Sequence, residues 1–295
     1  MSSGRRLFRG AVITALLLVV LLASVSVNVT AADGTVKLYM TPESEHLPIG
    51  HLLSFLLESK IGLEVDEKIQ YSDVGLRKIV NGEGDLFIGL NLPPAGEVAW
   101  DYDLNQLCNL GPVYEDAIKG WAVPDYVAEE KLDSLVNLKK AEVKTRLHRE
   151  ILTYKSRDNL LELSRDLIDD SQYLNDYKLV VLREMVANSE LNRATMNEEW
   201  IMMTMKRPSV PYSLYNVRFI EYITDEQSVH LVGRSDLMAA FPSEVTKFLS
   251  RFYLPISLVN ELVRMHDKDQ DSAVRDFVDE NDQLVKYWLE GVESL

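Results

Sequence analysis

The chain has 295 residues, of which 46 are acidic and 31 basic, and a formal net charge of −15. Phosphate backbones repel such a surface, so the composition argues against nucleic-acid binding. Hydrophobic residues make up 46% and charged residues 26%, as in globular proteins, and the length indicates two domains or lobes. The single cysteine, Cys108, excludes an intrachain disulfide framework.

The first 32 residues have the layout of a secretory signal peptide. Arginines precede an apolar run over residues 11–27, and small residues end the segment at Ala32. This order predicts export and cleavage after Ala32, which places the mature protein in the periplasm or another extracytoplasmic location. An uncleaved N-terminal membrane anchor is the alternative, because the run reaches the short limit of the roughly 17–25 residues that span a bilayer.

Alternating strands and helices are predicted at the start of the mature chain. The patterns of apolar residues predict strands over 35–41, 64–70 and 85–90, and helices over 48–60 and 72–80. Pro48 suits the first turn of the first helix. This β-α-β-α-β order implies a parallel sheet covered by helices.

A second α/β rhythm follows and then gives way to helices. Two strands are predicted within 106–123, and later strands over 151–154, 177–182, 200–205 and 228–233. Helices are predicted between them over 132–138, 159–168 and 185–195, and at the end over 243–252, 256–266, 272–280 and 282–289. The sequence contains no long Gly/Ser linker, so we expect the chain to cross between two lobes at short strands, near 113–120 and 220–225.

Motifs of catalysis and metal binding are missing from the sequence. It contains no GxSxG elbow, P-loop, HExxH or GxGxxG pattern. None of the five histidines pairs with another at helical spacing, and Cys108 has no basic neighbour that would favour a thiolate. The sequence therefore predicts a protein that is not an enzyme and that carries no metal or cofactor.

Four segments carry a resemblance to a known family. They are NGEGDLFIGLN at 81–91, IKGWAVPDYVAEE at 118–130, YLNDYKL at 173–179, and a C-terminal pattern that starts with Phe241-Pro242 and continues through 279–289. In this order and spacing, residues 35–291 resemble the substrate-binding proteins of glycine betaine/choline-type ABC importers. The resemblance implies a monomer that binds a small-molecule solute and delivers it to the membrane permease of an ABC importer.

The same resemblance implies an α/β fold of the two-lobed type II periplasmic-binding-protein class. Each lobe is expected to be a mainly parallel sheet flanked by helices, with the ligand held between the lobes. We expect residues 35–115 and 222–295 to form lobe 1, and residues 116–221 to form lobe 2.

The resemblance also assigns ligand-binding positions. The first-lobe strand that ends in an Asn or Asp in the family ends here in Asn91, and a family tryptophan that follows it corresponds to Leu92. A family W-x-P-H segment corresponds to Lys206 through Ser209, and a second-lobe loop to residues 154–158. Trp121 is added as an aromatic residue beside the predicted crossover. The candidate residues are Asn91, Leu92, Trp121, Tyr154, Lys155, Arg157, Lys206, Arg207 and Ser209.

Basic residues at these positions predict an altered ligand. Family members surround a quaternary ammonium group with aromatic rings, and a lysine in such a cage repels it. Lys155, Arg157, Lys206 and Arg207 either form surface ion pairs or select a carboxylate- or phosphate-bearing solute. The alternative function is a sensory or protein-interaction module that has lost transport.

Overall fold

A computed structural model describes residues 34–93, 104–155, 159–171 and 174–292. The predicted signal peptide and Arg157 lie outside these residues. Within them, no helix is both long and apolar enough to span a membrane.

The N-terminal part is a parallel unit, as the sequence predicts. Strand β1 pairs in parallel with β2 on one side and with β3 on the other. Helices α1 and α2 connect these strands in the predicted order. The elements are β1 (Thr35–Met40), α1 (His46–Leu56), β2 (Glu64–Ile69), α2 (Ser72–Val80) and β3 (Leu86–Leu92).

The remaining strands complete a continuous chain of paired strands. Their order is β2-β1-β3-β9-β4-β7-β5-β6, and β8 also pairs with β4. These strands are β4 (Leu107–Pro124), β5 (Glu150–Tyr154), β6 (Lys178–Leu182), β7 (Met203–Arg207), β8 (Val217–Tyr222) and β9 (Gln227–Arg234).

Strand β4 is one strand of 18 residues where the sequence pattern predicts two. Up to Ala117 it pairs antiparallel with β9, and from Ile118 onward it pairs antiparallel with β7 and β8. The change of partner divides the strands into two sheets that share β4. The first contains β1, β2, β3 and β9, and the second contains β5, β6, β7 and β8.

The two sheets are mixed rather than mainly parallel. In each, the α/β units contribute two parallel pairings, β1 with β2 and β3 in the first, and β5 with β6 and β7 in the second. The shared strand β4 and the returning strands β8 and β9 run antiparallel to their neighbours. Antiparallel pairing arises because the chain enters the second sheet along β4 and comes back along β8 and β9.

Helices cover both sheets. The C-terminal helices pack on the first sheet, where Phe248, Phe277 and Trp288 join one hydrophobic core with Leu38 and Ile88. The later helices are α3 (Ala141–Arg146), α4 (Leu160–Asp170), α5 (Glu184–Met196), α6 (Val210–Leu214), α7 (Leu237–Ala240), α8 (Ser243–Arg251), α9 (Ile256–Lys268), α10 (Gln270–Glu280) and α11 (Asp282–Trp288).

The second sheet has an apolar cluster on each face. One cluster contains Trp121 and Ile151, and the other contains Ala122 and Met203. Neighbouring residues of β4 thus point to opposite faces, as expected of a strand in a sheet covered on both sides.

Candidate functional site

A cavity of about 540 Å³ lies where strands of both sheets end. Residues that follow β1 and β2 form one wall, and residues at the ends of β5, β6 and β7 form the other. In α/β proteins, ligands bind at the carboxyl ends of the strands, so this position is the one expected for a binding site. The walls include Glu43, Ser44 and Tyr71 on one side and Tyr154, Lys155 and Lys206 on the other.

The end of helix α9 and the start of α10 close a third side of the cavity. His266, Asp267 and Gln270 contribute there, and Glu184 adds a further carboxylate from the start of α5. Three carboxylates and two lysines therefore line the cavity.

Glu43 is the most perturbed of these charged residues. Burial alone would raise the pKa of its carboxyl group, but the neighbouring His46 imidazole, the Thr41 hydroxyl and the Lys206 ammonium together lower it to about 2. Its Oε2 atom is buried and lies 3.6 Å from Nδ1 of His46, too far for a hydrogen bond. Among the described residues, this oxygen has no hydrogen-bond partner.

His46 links the Glu43 wall to the core of the first sheet. Its Nδ1 contacts the Thr41 hydroxyl, and its Nε2 lies 3.1 Å from the hydroxyl of Tyr114 on β4. Burial, followed by the charges of Glu45 and Glu43, raises the pKa of the Tyr114 hydroxyl well above its usual value. Tyr114 therefore stays protonated and can donate to His46.

Lys206, which lines the cavity, makes an ion pair with a residue of the other half of the molecule. Its Nζ lies 2.8 Å from Oε1 of Glu45, and the two side chains are 16% and 6% exposed. Glu45 precedes α1 in the first sheet's half, whereas Lys206 lies on β7 in the second. An enclosed pair at this distance joins the two halves directly.

Arg207 holds the backbone at the point where β4 changes sheets. Its Nε and Nη2 donate to the carbonyl oxygen of Asp116 at 3.1 and 2.9 Å. Asp116 has a φ of 61°, a left-handed conformation that is uncommon for a residue with a side chain. The guanidinium group thus stabilises the backbone beside the Ala117–Ile118 switch.

Ser209 serves as the N-cap of α6. Its buried Oγ accepts a hydrogen bond from the Tyr212 amide at 3.3 Å and donates to the Lys206 carbonyl at 2.8 Å. Through these two bonds, Ser209 fixes the backbone that carries Lys206.

Trp121, Asn91 and Leu92 do not line the cavity in the described structure. Trp121 is fully buried on the central strand β4, and its Nε1 donates to Oγ of Ser164 at 3.0 Å, so it is a core residue. Asn91 and Leu92 end β3 and pair with β9, where the Ser228 hydroxyl donates to the Leu92 carbonyl at 3.1 Å.

The structure therefore brings Tyr154, Lys155 and Lys206 together at the cavity, with Arg207 and Ser209 supporting the same segment. Sequence reasoning missed the first-sheet wall that contains Glu43, which we call the acidic wall. Its signal was available, because Pro42 through His46 directly follow the first predicted strand and contain Glu43 and Glu45. Among the described residues, no group of metal-ligating side chains could hold a metal ion.

Comparisons with known proteins agree with this architecture. A family model of the substrate-binding domain of the ABC-type glycine betaine transport system matches residues 34–280. No curated protein gives a significant match to the sequence.

Solved structures match at low sequence identity. Lactococcal OpuAC, crystallised in a closed form with glycine betaine, has a TM-score of 0.69 at 16% identity, covering 87% of this chain and 99% of that one. The glycine/betaine/L-proline-binding protein ProX from Borrelia burgdorferi has a TM-score of 0.67 at 20% identity, covering 87% and 97%. A choline-binding protein in complex with choline has a TM-score of 0.67 at 19% identity, covering 88% and 93%.

At these identities the likeness establishes the fold, and the predicted two-lobed type II periplasmic-binding-protein architecture is confirmed. The family model spans most of the chain. The chain belongs to the family of substrate-binding domains of ABC-type glycine betaine transport systems.

Proposed function

We propose that the protein is the extracytoplasmic solute-binding component of an ABC importer, and that it is not an enzyme. The observation that carries this proposal is the cavity of about 540 Å³ at the carboxyl ends of strands from both sheets. Its size and position suit a small-molecule solute. The predicted signal peptide at 1–32 supports a periplasmic or other extracytoplasmic location.

Closure of two lobes around the solute is the proposed motion. Lobe 1 comprises residues 35–115 and 222–295, and lobe 2 comprises residues 116–221. The partner switch within β4 and the passage from β8 to β9 support these boundaries. The Glu45–Lys206 pair connects the two lobes. A membrane permease would then receive the solute from the closed monomer.

The charged side chains around the cavity determine which solute can bind. Selection of an anionic solute by the basic residues named above stays a prediction. Lys206 already pairs with Glu45, and Arg207 donates to a backbone carbonyl, so Lys155 is the basic residue best placed for a solute carboxylate.

A ligand screen tests the proposed function. Purified protein is examined by thermal shift and calorimetry against betaines, amines, amino acids and organic anions. A solute at ~100 times its Kd is expected to stabilise the fold by ~2.7 kcal/mol.

Paired substitutions locate the binding site in this screen. Lys206→Met is expected to weaken solute binding, whereas Lys68→Met on exposed β2 leaves it unchanged. If no solute binds, and the protein does not stimulate its permease, the sensory or protein-interaction function would replace this proposal.

A further inference from the structure

We propose that the carboxylate of Glu43 determines specificity by accepting hydrogen bonds from a protonated amine of the solute. The cavity would then prefer a zwitterionic solute whose cationic end carries N–H groups over one that ends in a trimethylammonium group. This inference rests on the proposed solute-binding function and assigns the ligand's cationic chemistry to one residue.

The first support is an unsatisfied acceptor at the cavity. Glu43 lines the cavity, and its buried Oε2 accepts no hydrogen bond from the described residues. Buried polar atoms in folded proteins nearly always have a partner. A donor brought by the solute would supply the missing bond as the lobes close around it.

The second support is that the surroundings of Glu43 stabilise its negative charge. His46, Thr41 and Lys206 lower the pKa of the carboxyl group to about 2 despite its burial. His46 makes its own contacts with Thr41 and Tyr114, and Lys206 pairs with Glu45. Glu43 is therefore anionic at neutral pH, and its Oε2 atom is an acceptor without a partner among the described residues.

The third support is the balance of charge around the cavity. Glu43, Glu184 and Asp267 line it together with two lysines, and the charge of Lys206 is met by Glu45. A cationic end of the solute is thus favoured near the acidic wall, while Lys155 on the opposite wall can meet a carboxylate.

The number of N–H groups distinguishes the two kinds of cation. A trimethylammonium group has no N–H to donate and depends on ring faces, whereas a primary ammonium donates charge-assisted hydrogen bonds to a carboxylate. Of the two cage-equivalent positions, one is Leu92, which does not line the cavity, and the other is Lys206. Tyr71 and Tyr154 are the aromatic residues that line it.

Calorimetry with N-methylation series tests the inference on the full protein. One series runs from glycine through sarcosine and dimethylglycine to glycine betaine, and the other compares 4-aminobutyrate with its trimethylammonium derivative. Within each series the carboxylate and its spacing stay the same, while each methyl group replaces one N–H and adds apolar volume. We expect affinity to fall with methylation, by about 10-fold or more between the unmethylated and quaternary members.

Glu43→Gln removes the charge and keeps the shape of the side chain. We expect it to weaken binding of the amines by about 10-fold or more and to reduce the preference against methylation, because the amide oxygen still accepts a hydrogen bond but carries no charge. Glu184→Gln, which changes another lining carboxylate, is the matched control and should keep the order of affinities. If Glu43→Gln does not fold, the wild-type series alone decides.

Different failures have different meanings. Affinity that is constant or rises with methylation, a preference unchanged in folded Glu43→Gln, or binding only of solutes that lack an N–H cation would overturn this inference while leaving solute binding intact. Absence of binding across the whole solute screen would overturn the proposed function and the inference together.

Discussion

The two main walls of the cavity differ in how their charged groups are held. On the first-sheet wall, Glu43 lies beside His46, and His46 contacts Thr41 and Tyr114 within the same half of the molecule. On the second-sheet wall, Lys206 has its carboxylate partner Glu45 on the opposite side. The acidic wall is therefore organised mainly by its own half, whereas the charge of Lys206 is met by a residue of the other half. The second arrangement depends directly on how closely the two halves approach, whereas Glu43 feels the other half only through the charge of Lys206.

The largest expected effect comes from breaking the ion pair between the two halves. Glu45→Ala leaves the Lys206 ammonium enclosed without this carboxylate, so we expect a loss of about 3 kcal/mol in the free energy of unfolding, measured with urea. The double variant Glu45→Leu/Lys206→Met removes both charges and should recover most of this loss. Lys68→Met, which breaks the exposed pair with Asp66, is the control and should change stability by less than about 1 kcal/mol. A Glu45→Ala effect no larger than that control would contradict the enclosed pair.

The next effect is a pH dependence that belongs to the acidic wall. Because the pKa of Glu43 is about 2 in the folded protein and 4.5 is its ordinary value, the unfolded chain binds this proton first as pH falls. Stability from Glu43 is thus present above about pH 4.5 and is lost between pH 4.5 and 2. Urea unfolding at several pH values should show Glu43→Gln flattening the slope by up to about 1.4 kcal/mol per pH unit.

The control for this slope is Glu184→Gln, because Glu184 is an exposed residue on the other side of the cavity. An equal change of slope in both variants would show that the acid sensitivity does not belong to the Glu43 site.

The smallest effect concerns the support of His46. Tyr114→Phe removes the hydroxyl that lies 3.1 Å from His46 Nε2, and we expect a cost of about 1 kcal/mol in urea unfolding together with weaker solute binding. Tyr177→Phe is the matched control, because its hydroxyl also makes one buried hydrogen bond, to the Leu138 carbonyl at 3.0 Å, within the second half. It should cost a similar amount of stability without affecting binding. Equal losses of binding would remove the distinction between the two positions.

Local sequence patterns predicted most of the regular elements, because helices and strands with one or two buried faces have a readable period. Strand β1, helix α2 and strand β5 lie within a residue or two of their expected bounds. The length of β4 was not predictable from its own residues. Gly111 and Pro112 are residue types that usually interrupt a strand, yet pairing with β9 continues through them with irregular register.

The candidate site was predicted only in part, because some of its residues can be recognised in the sequence and others are brought together only by the tertiary structure. Tyr154 and Lys206 could be placed because their segments resemble ligand-binding segments of the family, and the structure has both at the ends of strands. The pairing of Lys206 with Glu45 joins residues 161 positions apart and depends on the approach of two halves, which no local pattern records. The prediction for Trp121 was wrong because a tryptophan near a crossover can either pack in the core or line the cavity. Trp121 lies in a sheet that is covered on both faces, and its register places the side chain in the apolar cluster on one of them.

Strand β4 contributes residues to the hydrophobic cores of both halves, so the stability of each half depends on the other. Leu110 and Val113 on its first part belong to the core of the first sheet, and Trp121 and Val123 on its second part belong to a core of the second. A polypeptide fragment that carried only one half would either lack a central strand or expose the apolar residues of the other. Unfolding of one core removes the far end of a strand on which the other is built, so the two halves are thermodynamically coupled through the covalent backbone itself.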